Sequence, residues 1–181
     1  MTRTNLLAPK QESVMRRVSS SDFFICGLHG AKRSGKTFIN NIIFLKELVR
    51  VREIADKLGV DEPMYILAGT SSTSVQNNIL QELYNEFDIE PKYDKHGSFI
   101  MAGVKVVQVY TGSISGLKRA RGFTAYGAYV NEASLANEEV FKTFKFAMDM
   151  EVLPKYITGI RAPLSIDAEM SFEMDINVPE F

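Results

Sequence analysis

The sequence predicts an α/β fold: a mainly parallel sheet with helices on both faces. Three observations predict it. Short, continuously apolar runs, "FFICGL", "MYILA" and "YGAYV", read as strands covered on both sides. Segments of helical period lie between the first two. A glycine-rich turn joins the first such strand to the first long helical pattern.

Taken in order, residues 1–20 form a lead-in with a short helix over Lys10 to Val18, broken by Ser19-Ser20-Ser21-Asp22. Phe23 to Leu28 is the first strand, followed by the glycine loop. From Thr37 the period turns helical. Phe38, Ile42, Leu45 and Val49 share a face that Ile54 and Leu58 continue, and Gly59 is placed as its stop. Met64 to Ala68 is a second strand, and "GTSSTS" supplies a turn with N-cap residues. A helix over Ser74 to Phe87 carries Val75, Ile79, Leu83 and Phe87 at four-residue spacing. "SFIMAGVKVVQVY" reads as a hairpin about Ala102-Gly103, and "TGSISGLKRARGF" as a loop. Tyr126 to Val130 is a third buried strand ending in Asn131-Glu132, and Ala136 to Met148 a further helix.

Bulk properties narrow the function classes. The chain has 181 residues, 45% hydrophobic and 24% charged, as expected of one soluble domain. A net charge of −1 argues against coating nucleic acid by bulk charge and leaves room for a local basic patch. The one cysteine, Cys26, cannot close an internal disulfide and reads as a small buried hydrophobe in a reducing compartment. No apolar run approaches the ~18 residues of a membrane span, and the N-terminus lacks the apolar region of a signal peptide. His29 and His96 have no partners at metal-ligand spacing.

Gly30 to Thr37, "GAKRSGKT", spells G-x-x-x-x-G-K-T. Its glycines let backbone N–H groups wrap phosphate oxygens, with further donors in the first turn of the following helix. Gly30, Arg33, Ser34, Gly35, Lys36 and Thr37 are the candidate phosphate-binding residues, with Lys36 on the β/γ-phosphates and the Thr37 hydroxyl on Mg²⁺. Lys32 and Arg33 form a cationic pair inside the loop: either a solvated rim, or a finger toward the γ-phosphate, for which Arg33 is better shaped.

An ATP-hydrolysing site also needs an acid, and Glu132 after the third strand is the candidate general base. The alternative is a first-turn acid on the next helix. The preceding position, where Asp is usual, is Asn131; its amide oxygen can accept from a metal-bound water but carries no charge. In a parallel sheet ligands bind beyond the carboxyl ends of strands, so the loops after Leu28 and Val130 share one edge. Gln11 is either a surface residue or an adenine contact of the kind used by some nucleic-acid-dependent ATPases. Lys118, Arg119 and Arg121 are either a solvated loop or contacts to a phosphate backbone.

Together "GLHGAKRSGKTFINNIIF", "LAGTSSTSVQNNILQELYNEF" and "SISGLKRARGFTAYGAYVNEASLA" resemble the ATPase domain of the large terminase subunit of tailed bacteriophages, from about Gln11 to Lys142. The resemblance implies a RecA-like P-loop domain with an additional strand. It implies an ATP- and Mg²⁺-dependent motor in the host cytoplasm that drives double-stranded DNA into a capsid with a small terminase subunit, a portal protein and further copies of itself in a ring. Lys36 and Thr37 then hold phosphates and Mg²⁺, Arg33 or Lys32 is the finger, Asn131 and Glu132 fall on the acidic pair, and Gln11 lies near the adenine position.

The same resemblance divides the chain into a lead-in (1–20), an ATPase core (21–142) and an atypical tail (143–181). Neither the family's further coupling strand nor a nuclease domain is legible in that tail; Asp149, Asp167, Glu169, Glu173 and Asp175 have no nuclease-like spacing. A weak or inactive interaction module is therefore a second expectation, and a helicase-like DNA-dependent ATPase a third.

Overall fold

The computed structural model describes residues 7–20, 25–31, 33–112, 124–135, 155–161 and 171–175. Its centre is a seven-stranded sheet of order β3-β4-β2-β5-β6-β1-β7. The strands are β1 (Ile25–Gly30), β2 (Met64–Gly69), β3 (Phe99–Met101), β4 (Val104–Tyr110), β5 (Ala125–Val130), β6 (Lys155–Arg161) and β7 (Ser171–Asp175). β4, β2, β5, β6 and β1 run parallel, while β3 and β7 are antiparallel edges. All six residues of β5 are buried, so both faces of the sheet's centre are covered, as its unbroken apolar run requires.

The helices are α1 (Pro9–Ser20), α2 (Lys36–Leu58) and a run made of α3 (Ser72–Val75), a π-helical turn (Gln76–Leu80) and α4 (Gln81–Phe87). The expected stop at Gly59 is present: its N–H donates to the carbonyls of Ala55 and Asp56. Val75, Ile79 and Leu83 are buried as their spacing implies. The hairpin turns at Ala102-Gly103, both at positive φ (50° and 72°), which matches the twist of its strands.

Two expectations are corrected. The buried face of α2 is Ile39, Ile43, Phe44, Leu48, Val51 and Ala55, one residue on from the expected stripe; Val49 and Leu58 are exposed. The segment "FINNIIFL" is apolar almost all round, so periodicity alone could not choose its inward side. The second concerns 143–181, where no further strand was expected. β6 lies between β5 and β1, parallel to both, and β7 flanks β1. "KYITGIR" hides its strand character because Gly159 and its charged ends break the apolar run. The helix expected over Ala136 to Met148 lies outside the described residues.

Phe44 joins the layers: its ring packs 5.6 Å from Tyr65 of β2 and 5.7 Å from Tyr129 of β5. Phe44→Ala is expected to cost about 3–5 kcal/mol, read from chemical denaturation, because a fully buried ring leaves a cavity the sheet cannot close. Cys26 is fully buried, and burial, with the charge of Glu47 second, pushes its thiol up to about 12. It is an inert core residue, as expected from its apolar run.

Candidate nucleotide site

β1 delivers the chain to the carboxyl edge of the sheet at Gly30, and α2 leaves it at Lys36. Between them the loop closes on itself through Ser34 N–H donating to Ala31 O at 3.3 Å. Arg33 holds φ 66° and Gly35 φ 82°. A left-handed arginine is strained, which is what sequence and fold together force where a loop must curl inside one turn. Because Gly35 is the N-cap of α2 it offers no side-chain cap, and no acid occupies the first turn, so the helix N-terminus is left open to an anion.

The Lys36 ammonium lies over the mouth of this loop. It donates to Gly30 O at 2.7 Å, Ala31 O at 2.6 Å and Ser34 Oγ at 3.3 Å. A phosphate oxygen entering the loop exchanges these weaker neutral acceptors for a charged one. Thr37 follows, half-buried in the first turn of α2. Arg33 is exposed on the rim. Lys32 lies outside the described residues.

Gln11 reaches this loop from α1. Its Nε2 donates to Gly35 O at 3.2 Å, and its Oε1 accepts from Ala8 N–H at 2.9 Å. A Cβ on Gly35 would meet Gln11 Nε2 at 2.6 Å. Gly35→Ala is therefore expected to distort the loop, both by this contact and by the roughly 1–2 kcal/mol of a left-handed alanine. Nucleotide affinity measured by calorimetry should fall about tenfold, and adding Gln11→Ala, which removes the contact together with the bond to Gly35 O, should not restore it.

The acidic side comes from β5. Asn131 N–H donates to Ala68 O of β2 at 2.8 Å, and its side chain is buried, with Nδ2 lacking a hydrogen-bond partner among the described residues. Glu132 sits half-buried at φ 54°, and its carbonyl accepts from Leu135 N–H at 2.9 Å, opening the 3₁₀ turn Ala133–Leu135. β5 and β1 are separated only by β6. Two strand spacings, about 10 Å, thus divide Asn131-Glu132 from the glycine loop on one edge. That gap suits a phosphate with a metal ion and a water between the two walls. The Asn131 Nδ2, a donor with no partner among the described residues, and the cap-free start of α2 fit the phosphate, and no trio of His, Cys, Asp or Glu able to hold a metal alone occurs among the described residues. Lys118, Arg119 and Arg121 lie outside the described residues.

A polar chain under the site was not anticipated. Tyr129 OH donates to Asn41 Oδ1 at 3.2 Å, and Asn41 Nδ2 donates to Glu82 Oε2 at 3.1 Å. It ties β5, two residues before Asn131, to α2 and α4. Burial, then the charge of Glu86, raises the Glu82 carboxyl above its ordinary value. The only sequence signal was Asn40-Asn41, two amides on a helix otherwise read as apolar.

Among the described residues no helix is long and apolar enough to cross a membrane. No family model matches the sequence, and no curated protein matches it. Solved structures do match. The large terminase from a thermophilic bacteriophage superposes with TM-score 0.65 at 16% identity, covering 84% of this chain and 38% of that one. The same terminase in complex with ADP gives 0.62 at 17% identity, and in complex with ATP-γ-S 0.62 at 16% identity, again over 84% of this chain. The chain thus spans about 38% of the length of the terminase it matches. What this likeness establishes is the fold: the mainly parallel α/β sheet, with β6 between β5 and β1, is shared with the solved large terminase.

Proposed function

We propose that this chain is the ATP-binding and ATP-hydrolysing unit of a large terminase, the motor that moves double-stranded DNA into a procapsid. The observation that carries the reading is the placement of Lys36 in a cap-free glycine loop and of Asn131-Glu132 across one intervening strand. The likeness to terminase chains solved with ADP and ATP-γ-S supports it.

In this reading the loop N–H groups and Lys36 bind the β- and γ-phosphates, and Arg33 on the rim, or Lys32, stabilises charge as the terminal bond breaks. Mg²⁺, when bound, would neutralise phosphate charge, and Thr37 and Asn131 are the residues that would hold it. Glu132 orients the attacking water and accepts its proton. Gln11 steadies the loop through Gly35 and stands ready beside the adenine. The 1–20, 21–142 and 143–181 division is proposed as functional only, since the sheet draws on both sides of the last boundary. Duplex DNA, with Lys118, Arg119 and Arg121 among its contacts, a small terminase subunit, a portal and a ring of copies are the proposed partners, in the host cytoplasm.

The alternative of an inactive interaction module rested partly on the absence of a legible further strand; β6, parallel between β5 and β1, weakens that ground. Steady-state ATP turnover decides. The reading expects Mg²⁺-dependent hydrolysis by the pure chain that duplex DNA accelerates. No turnover in either condition would return the argument to the inactive module.

A further inference from the structure

An open cavity of about 480 Å³ lies on the same edge of the sheet, beyond the ends of β2 and β4. Its walls include Thr73, Gln76, Asn77, Tyr93, Gln108 and Tyr110: hydroxyls, amides and phenols, with no acid among them. These side-chain types make up much of the contact that proteins make with nucleic-acid phosphate and sugar. β4 and β1 are four strand spacings apart, so the cavity stands roughly 19 Å from the glycine loop.

The loop before β3 is built rather than loose. Asp94 Oδ1 accepts the N–H groups of His96 at 2.8 Å and Ser98 at 2.9 Å, and Asp94 N–H donates to Ser98 O at 2.7 Å. The Ser98 hydrogen bond is the main reason its carboxyl lies below the ordinary range. Tyr93 packs edge-on to Phe99 with centroids 5.6 Å apart, and its hydroxyl donates to Gln76 Oε1 at 3.3 Å. The residue is nevertheless 47% exposed, flanked by exposed Lys92 and Lys95. Burial, then Tyr110, raises the Tyr93 phenol above its ordinary value. The π-helical turn opens at Gln76 and Asn77, turning both amides of that pair to the cavity, and such turns recur at functional sites.

We propose that this cavity and the Lys92–Lys95 loop grip the sugar-phosphate backbone of duplex DNA. The proposal rests on the motor reading above and names DNA contacts other than Lys118, Arg119 and Arg121. Lys92 and Lys95 supply charge, Tyr93 packs against the sugar, and the hydroxyls and amides fix the register of a phosphate.

The test is fluorescence anisotropy of a labelled duplex against the full chain over a salt series. Thr73→Glu places a negative charge in the cavity at the second position of α3, where an acid favours the helix and folding is spared. It should weaken binding about tenfold or more, the effect of a like charge facing a phosphate. Lys92→Ala with Lys95→Ala should flatten the log–log salt slope by about 2. ATP-γ-S binding by both variants should stay at the wild-type level. Unchanged duplex affinity and slope in both, or no duplex binding by the wild type, overturns the proposal. Should the wild type fail to bind nucleotide while the variants still lose duplex, the motor reading falls and this surface stands.

Discussion

Lys36→Ala is expected to lower kcat/KM for ATP by about 10²–10³-fold, the usual cost of removing one preorganised charge donor from a reacting group. The side chain reaches the loop mouth through contacts to Gly30, Ala31 and Ser34, so the ammonium is already placed before a phosphate arrives. Alanine deletes the charge and leaves two backbone carbonyls facing the phosphates, which adds repulsion to the lost attraction. The loop path is set by Arg33, Gly35 and Gln11, so the fold should survive. Thermal denaturation of the variant close to wild type, alongside the kinetic loss, is the expected pair of results; unchanged kcat/KM contradicts the role given to Lys36.

Glu132→Gln separates chemistry from binding. The substitution keeps shape and the left-handed backbone at φ 54° while removing the proposed base. Turnover should fall about 10²–10⁴-fold, the range for a positioned general base, with nucleotide affinity within about twofold of wild type. Equal losses of turnover and affinity would show Glu132 to be part of the binding wall instead. Asn131 sharpens this result. It carries no charge where an acid is usual, so Glu132 is the acid that follows β5 at this edge.

Much of this was legible in the residues. The unbroken runs at β2 and β5 could only be strands buried on both faces, and the glycine motif between β1 and α2 fixed which edge carries the site. What stayed hidden did so for physical reasons. β6 carries a glycine and charged ends, so its strand character depends on neighbours β1 and β5 rather than on its own pattern. α2 is apolar on several sides, and its inward face is chosen by Tyr65 and Tyr129 of the sheet. The bond from Gln11 to Gly35 spans 24 residues, and that from Tyr129 to Asn41 spans 88. Only the folded topology brings such pairs together. The cavity beside Tyr93 likewise has no motif, because its walls come from three separate stretches of chain.

The central claim is that a nucleoside triphosphate binds in the glycine loop at the carboxyl edge between β1 and β5. At 20.3 kDa the chain suits amide NMR spectroscopy, and titration with Mg²⁺ and ATP-γ-S tests the claim residue by residue. The account predicts the largest shifts at the amides of Gly30 to Thr37, with a second group at Asn131 and Glu132 and none in Lys36→Ala at the same concentrations. Shifts centred elsewhere, or none in the loop at saturation, would contradict it.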